Sequence, residues 1–184
     1  RMMIKPPKLY LKRKDIPMES LLDLANDAGK GWGDAEVVRG YNPEARSTQI
    51  KHGLDPKEYI DVSKCILDMV NIWDGTLDPN DYIVGEFNYL KYSEGDHFIK
   101  HVDKLKQSIG KYNERIFSTS TIISKTDDLK GGEFMIWDHI GMPQEVSLDV
   151  GETLFFDSKT NHQVNKVSSG VREALVAWIW KKQT

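Results

Sequence analysis

Apolar positions along the chain recur at two different periods, and the change falls near Pro79. Before it, Met18, Leu21, Leu22, Ala25 and Ala28 fall three and four apart. They mark the core-facing stripe of a helix, with Asp15 as its cap, Pro17 in its first turn and Gly29 at its end. A second helix is expected after Asp55-Pro56-Lys57-Glu58, a capping-box-like start, because Val62, Ile66, Met69, Val70 and Trp73 share one face before Gly75. Gly29-Lys30-Gly31-Trp32-Gly33 lacks the spacing of a phosphate loop and follows a helix, so it reads as a cap and turn. Residues 35 to 53 are irregular, with short strands. Beyond Pro79 the apolar residues crowd into short runs at 82–92, 97–102, 115–124, 133–138, 145–149, 153–157, 162–167 and 171–180. Gly131-Gly132, Gly141-Met142-Pro143, Gly151 and Ser169-Gly170 separate several of them. Runs of this length and spacing predict a sandwich or jelly roll. The last run is apolar on both faces, as expected for a strand with a barrel on one side and helices on the other. The fold class is therefore α+β, mainly β: a jelly-roll core over 80–180, with helical support from 15–75 packed on one sheet.

Composition narrows this without changing it. A chain of 184 residues and 21.1 kDa fits a single domain, here taken as 1–184. Its net charge of −3 and pI near 6.0 give no overall attraction to nucleic acid or to an anionic membrane. The basic run from Arg1 to Lys14 reads as an edge strand or solvated tail. One cysteine, Cys65, excludes an intramolecular disulfide, favours a reducing compartment and reads as a packed thiol. No apolar stretch approaches 18 residues and no signal-type apolar region stands at the N-terminus, so a soluble, cytoplasmic protein is expected.

The chemistry concentrates around His101-x-Asp103. In an extended segment these two side chains project the same way and can reach one ion. A tripeptide of this form is common by chance and means little alone. A second imidazole would complete a two-His, one-carboxylate set of the kind that holds Fe(II) on one face and leaves positions open, and His162 is the candidate. Residues 162–167 and 171–180, separated by Ser168-Ser169-Gly170, read as a hairpin in which Val167 faces Val171 and His162 faces Val176. Arg172 then shares the face of His162 at about 13 Å along the strand. A guanidinium there could grip one end of a five-carbon dicarboxylate whose other end chelates the metal.

Tyr92-x-x-Gly95-x-x-Phe98-x-x-His101-x-Asp103, then Gly131-Gly132-Glu133-Phe134, His162-x-Val164, and Arg172 with Trp178, resembles the Fe(II)/2-oxoglutarate-dependent dioxygenases, specifically the prolyl 4-hydroxylase group. The resemblance is detailed over 80–180 and looser over 15–75. It implies a double-stranded β-helix form of jelly roll, with His101, Asp103 and His162 binding iron and Arg172 binding the far carboxylate of 2-oxoglutarate. It further implies that Tyr92 and Trp178 line the cosubstrate pocket, that O2 is consumed, and that ascorbate acts as reductant. The chain departs from the group in two places. Collagen-type members usually carry Lys where Arg172 stands, and oxygen-sensing members carry a second pocket tyrosine where Ile122 stands. Thr121 or Thr119 is the candidate replacement hydroxyl.

What the resemblance implies is oxidation of an unactivated C–H, most readily on a proline-containing peptide or protein, with release of succinate and CO2. A lysyl residue or a small metabolite would suit the same chemistry. Two readings from other classes remain open: a jelly-roll module that binds a small acid without catalysis, and a zinc hydrolase using His97 and His101 four residues apart. The second lacks the Glu of a His-Glu-x-x-His helix. His52 and His139 read as surface or turn residues. The loops 104–114 and 125–130 are candidate lids or substrate clamps.

Overall fold

The period-two half of the chain folds into two facing antiparallel sheets. The structure, a computed structural model, describes residues 8–28, 31–37, 40, 42–51, 53–105 and 114–183. Its elements in chain order are β1 (Leu11–Arg13), α1 (Met18–Asp27), β2 (Gly33–Asp34), β3 (Arg46–Ser47), β4 (Gln49–Lys51), α2 (Ile60–Trp73), β5 (Tyr82–Tyr92), β6 (His97–His101), β7 (Arg115–Lys125), β8 (Lys130–Gly131), β9 (Phe134–Trp137), β10 (Pro143–Val146), β11 (Thr153–Asp157), β12 (His162–Val164), β13 (Val167–Ser169) and β14 (Arg172–Lys181). The larger sheet runs β1-β11-β7-β14-β5-β4-β2 and the smaller β10-β9-β12-β6-β3; β13 and β8 pair separately. This is the mainly-β jelly roll with helices on one sheet that the periods predict.

Alternation sorts the larger sheet into two cores. Leu90, Tyr92, Ile122, Leu154, Phe156 and Ala174 face the smaller sheet and meet Phe134, Ile136 and Val164 there. Their neighbours Tyr89, Ile123, Phe155, Leu175, Ala177 and Ile179 face the other way, against α1 and α2. In α2 the residues buried on this face are Val62, Ile66, Met69 and Val70, as the spacing predicts. In α1 they are Leu21 and Leu24, while Leu22 is half exposed, so the stripe is narrower than expected. Pro17, not Asp15, occupies the N-cap of α1; Asp15 instead pairs with Arg13. Asp55 does cap the 3-10 turn Pro56–Glu58 that precedes α2, accepting from the Lys57 amide at 2.9 Å.

One expectation fails. Residues 162–167 and 171–180 do not form a hairpin: β12 lies in the smaller sheet between β9 and β6, and β14 in the larger sheet between β7 and β5. The ten residues of β14 satisfy far more backbone groups between two eleven-residue strands than a short hairpin with β12 could. The intervening β13 pairs instead with β8. Arg172 therefore faces His162 across the space between the sheets.

β1 is an edge strand, which is where the basic N-terminal run leads; residues 1–7 lie outside the described residues, as do Lys30, His52 and most of the 104–114 loop. The 125–130 loop is tied down, with the Thr126 amide bonded to the Val171 carbonyl at 3.0 Å and the Ser169 hydroxyl to the Asp128 carbonyl at 2.7 Å. Among the described residues no helix is long and apolar enough to cross a membrane.

Candidate active site

Between the sheets opens a pocket of about 490 Å³, its mouth included, walled by Tyr92, Phe98, Phe134, Phe156, Val164 and Ala174 among others. His101, Asp103 and His162 meet there, with one donor atom from each lying within 4.8 Å of the others. Sheet register brings the imidazoles together: His101 closes β6, His162 opens β12, and the two are antiparallel partners. Asp103 lies just past the end of β6 rather than within it. Its amide donates to the Ser158 carbonyl at 2.9 Å, which turns the side chain inward.

Each imidazole is oriented in the same manner. His101 Nδ1 is 2.7 Å from the Ile99 carbonyl and His162 Nδ1 is 2.9 Å from the Thr160 carbonyl, so in each ring Nδ1 donates to a carbonyl and Nε2 is the nitrogen turned to the junction. The two Nε2 atoms point at one oxygen, Asp103 Oδ1, at 3.4 and 3.3 Å. Stacking fixes the ring planes: Phe98 lies on His101 with centroids 3.6 Å apart, and Phe134 lies nearly parallel to His162 at 5.6 Å. The other carboxylate oxygen, Oδ2, accepts from the Ser118 hydroxyl at 2.6 Å and from the Trp178 indole N–H at 3.1 Å.

The electrostatics follow from burial and this geometry. Burial would push the Asp103 carboxyl up, but the charge of His162 and hydrogen bonds with both imidazoles hold it well below the usual carboxylate range. Burial pushes His101 down, and its neighbour His162 adds to that. For His162 burial also lowers, yet the charge and hydrogen bond of Asp103 outweigh it and the net shift is upward. Two imidazole Nε2 atoms and one anionic oxygen at a single junction suit a divalent cation, whose binding displaces any proton on Nε2. Two imidazoles plus one carboxylate, with other positions open, fit Fe(II). His97 stands apart: it lies on a strand and its Nε2 meets the Glu44 carbonyl at 2.8 Å, so the helical pair that a zinc hydrolase would need does not form.

Arg172 is buried and lines the same pocket. It is the cross-strand partner of Tyr92, and its guanidinium carbon lies 5.2 Å from that ring's centroid. Burial lowers its pKa, and Tyr92 partly offsets this. On β14, Arg172, Ala174, Val176 and Trp178 all line the pocket, as a period of two requires. Thr121 does not. It sits on the helix-facing side of β7, where its hydroxyl bonds that of Thr153 at 2.7 Å, and an odd offset from Ser118, Ser120 and Ile122 puts it there. Thr119 borders the pocket, but its hydroxyl is directed to the Ala177 carbonyl at 3.2 Å. The hydroxyl-bearing residues of the inward set are Ser118 and Ser120. Sequence reasoning missed both, although even spacing from Ile122 points to them. It also missed Arg46, whose two-residue strand carries no periodic signal.

Comparison with known proteins agrees with this geometry. The family model described as the 2OG-Fe(II) oxygenase superfamily matches residues 87–180, which span β5 to β14 and include the triad and Arg172. A PKHD-type hydroxylase of Burkholderia ambifaria is 30% identical over 164 residues, covering 86% of this chain and 71% of the relative. Among solved structures, a Pseudomonas putida prolyl-4-hydroxylase superposes with a TM-score of 0.69 at 17% identity, covering 95% of this chain and 93% of that one. The viral collagen prolyl hydroxylase of Paramecium Bursaria Chlorella virus-1, in its 2OG complex, gives 0.70 at 18% identity, covering 95% and 97%. At such identities the two structures speak to the fold alone.

Proposed function

Because the chain belongs to the 2OG-Fe(II) oxygenase superfamily, we propose that it hydroxylates prolyl residues of a peptide or protein, using Fe(II), 2-oxoglutarate and O2. The observation that carries the reading is the convergence of two imidazole Nε2 atoms on Asp103 Oδ1 within a pocket that Arg172 also lines. His101, Asp103 and His162 would hold the iron. When bound there with 2-oxoglutarate, ferrous iron couples oxidative decarboxylation of the keto acid by O2, giving succinate and CO2, to insertion of one oxygen atom into a substrate C–H. Ascorbate would serve as an auxiliary reductant.

The chain's own residues supply orientation and dryness. Carbonyls of Ile99 and Thr160 fix the tautomers of the two imidazoles. Ser118 and Trp178 occupy Asp103 Oδ2 and leave Oδ1 directed inward. Arg172, with Tyr92 beside it, would take the distal carboxylate of the keto acid in a bidentate pair, a bond strengthened by the apolar surroundings. Phe98, Phe134, Phe156 and Val164 exclude water from the junction. Hydroxylation is supported by the PKHD-type hydroxylase relatives, and the prolyl substrate by the resemblance of Tyr92-x-x-Gly95-x-x-Phe98-x-x-His101-x-Asp103, His162 and Arg172 to the prolyl 4-hydroxylase group. A cytoplasmic setting is supported by the reduced-thiol composition, with its single half-buried Cys65.

The test is succinate formation from 2-oxoglutarate in the presence of proline-rich peptides, with lysyl peptides and small amino acids run in parallel. Prolyl peptides are expected to stimulate turnover, and His101→Ala and Asp103→Ala to abolish it. Stimulation that survives either substitution would refute the ligand assignment, and stimulation by the parallel probes alone would discard the prolyl substrate.

A further inference from the structure

Trp178 is held at its edge and over its ring by different groups. Its indole N–H donates to Asp103 Oδ2 at 3.1 Å, and the side chain walls the pocket. Over the ring, 3.6 Å from its centroid, lies the guanidinium carbon of Arg115. Arg115 in turn meets Glu86 as a fork: Nε donates to Oε1 at 3.0 Å and Nη2 to Oε2 at 2.9 Å. The pair is buried, with side chains 7% and 12% exposed. Glu86 on β5 and Ser118 on β7 are the two cross-strand partners of Trp178 on β14.

Strict alternation would put Arg115 on the helix side of the sheet, three residues from the inward Ser118. It is not there, because the register of β7 against β14 slips by one residue: Ile179 faces Phe117, and Trp180 faces Arg115. The residue passed over, Ile116, packs with Phe117 in the helix-facing cluster. Two consecutive side chains thus lie on that side, and Arg115 returns to the side of Trp178. A bulge beside a functional site commonly re-aims one side chain in this way. Burying the ion pair there adds little to stability, since taking both charges out of water offsets their attraction. A planar fork does fix the guanidinium plane, and a cation over an indole fixes the ring and polarises its N–H toward an acceptor.

We propose that Arg115, held by Glu86, is a positioning residue for the metal site: it sets the Trp178 ring so that the indole N–H keeps Asp103 Oδ2 and leaves Oδ1 turned to the two imidazoles. Neither Arg115 nor Glu86 is among the residues that wall the pocket, so both act through Trp178. This rests on the dioxygenase reading above.

The test is Fe(II) affinity, titrated without oxygen, in the native protein, in Trp178→Phe, in a neutral pair carrying Arg115→Met with Glu86→Gln, and in all three substitutions together. Trp178→Phe removes the N–H and should weaken binding about tenfold, and the neutral pair about fivefold. Together they should weaken it no further than Trp178→Phe alone, because the pair acts only through that N–H. Arg115→Lys keeps the charge beside Glu86 but loses the planar stack, and should weaken binding about threefold. Affinity for 2-oxoglutarate, titrated at saturating iron, should stay within about twofold of native in Arg115→Lys, since Arg172 is untouched. Thermal unfolding of the metal-free proteins excludes a folding defect, and if the neutral pair does not fold, Arg115→Lys decides alone. The proposal is overturned if the neutral pair and Arg115→Lys bind Fe(II) as the native protein does, if the losses of Trp178→Phe and the pair multiply, or if the loss falls on 2-oxoglutarate while iron binding holds. Native-like iron binding in the variants sinks only the role of Arg115; a native protein that takes up no Fe(II) sinks the dioxygenase reading, and this proposal with it.

Discussion

Asp103 divides its two oxygens between two tasks. Oδ1 faces the imidazoles and Oδ2 is held by Ser118 and Trp178, so the carboxylate enters the site already aimed. Second-layer hydrogen bonds of this sort are worth roughly ten- to a hundredfold in metal affinity. Ser118→Ala removes the shorter of the two and should weaken Fe(II) binding about tenfold in an anaerobic titration, with little change in thermal stability. Affinity unchanged in Ser118→Ala would show that the Trp178 bond alone suffices. The triad was legible in the sequence because His-x-Asp spacing, a later His and a nearby Arg each carry a recognisable chemical signature. Ser118 was not, since a serine gains meaning only once β7 is known to run beneath Asp103. Thr121 and Thr119, the hydroxyls that local reading offers for the pocket, stand one residue out of phase with Ser118, Ser120 and Ile122, and in a strand one residue reverses the face.

At the level of elements, the hairpin is the instructive error. Apolar, β-rich runs on either side of Ser168-Ser169-Gly170 satisfy the local rules for a two-stranded turn, but pairing is decided by how many backbone groups the whole sheet can satisfy. The short β13 and β8 that join the sheets carry almost no periodic signal, yet they set the position of Arg172. Gly132, at φ +69°, lies where an added Cβ would come within 3.0 Å of both Arg172 Cδ and Val167 Cγ2. Gly132→Ala should therefore cost about 1–2 kcal/mol from the left-handed backbone alone. It should also raise the KM for 2-oxoglutarate by displacing the Arg172 stem, while Fe(II) affinity holds. Denaturant unfolding and separate titrations of iron and keto acid would read the two effects apart; equal losses in both titrations would argue against a selective push on Arg172.

For the whole molecule, the site exists because two sheets are held face to face, and the helices hold one of them flat from behind. Ile66 and Met69 of α2 are fully buried in the same cluster as Phe117, Phe155 and Ile179. Ile66→Ala is expected to cost about 2–5 kcal/mol by leaving a cavity, measured as a lower denaturant midpoint, without changing Fe(II) affinity below the transition. The jelly roll was legible because alternation and turn residues recur along the C-terminal half; which strands share a sheet was not, since that depends on long-range closure. The central claim is a spatial one, that His101, Asp103 and His162 grip a single ferrous ion while Arg172 anchors the keto acid chelated to it. The most direct measurement is the visible charge-transfer absorption formed when Fe(II) and 2-oxoglutarate are added together without oxygen. The account expects the band in the native protein, its loss in His162→Ala, and a requirement for much higher 2-oxoglutarate in Arg172→Ala. No band at saturating iron and keto acid, or a band that persists undiminished in His162→Ala, would contradict it.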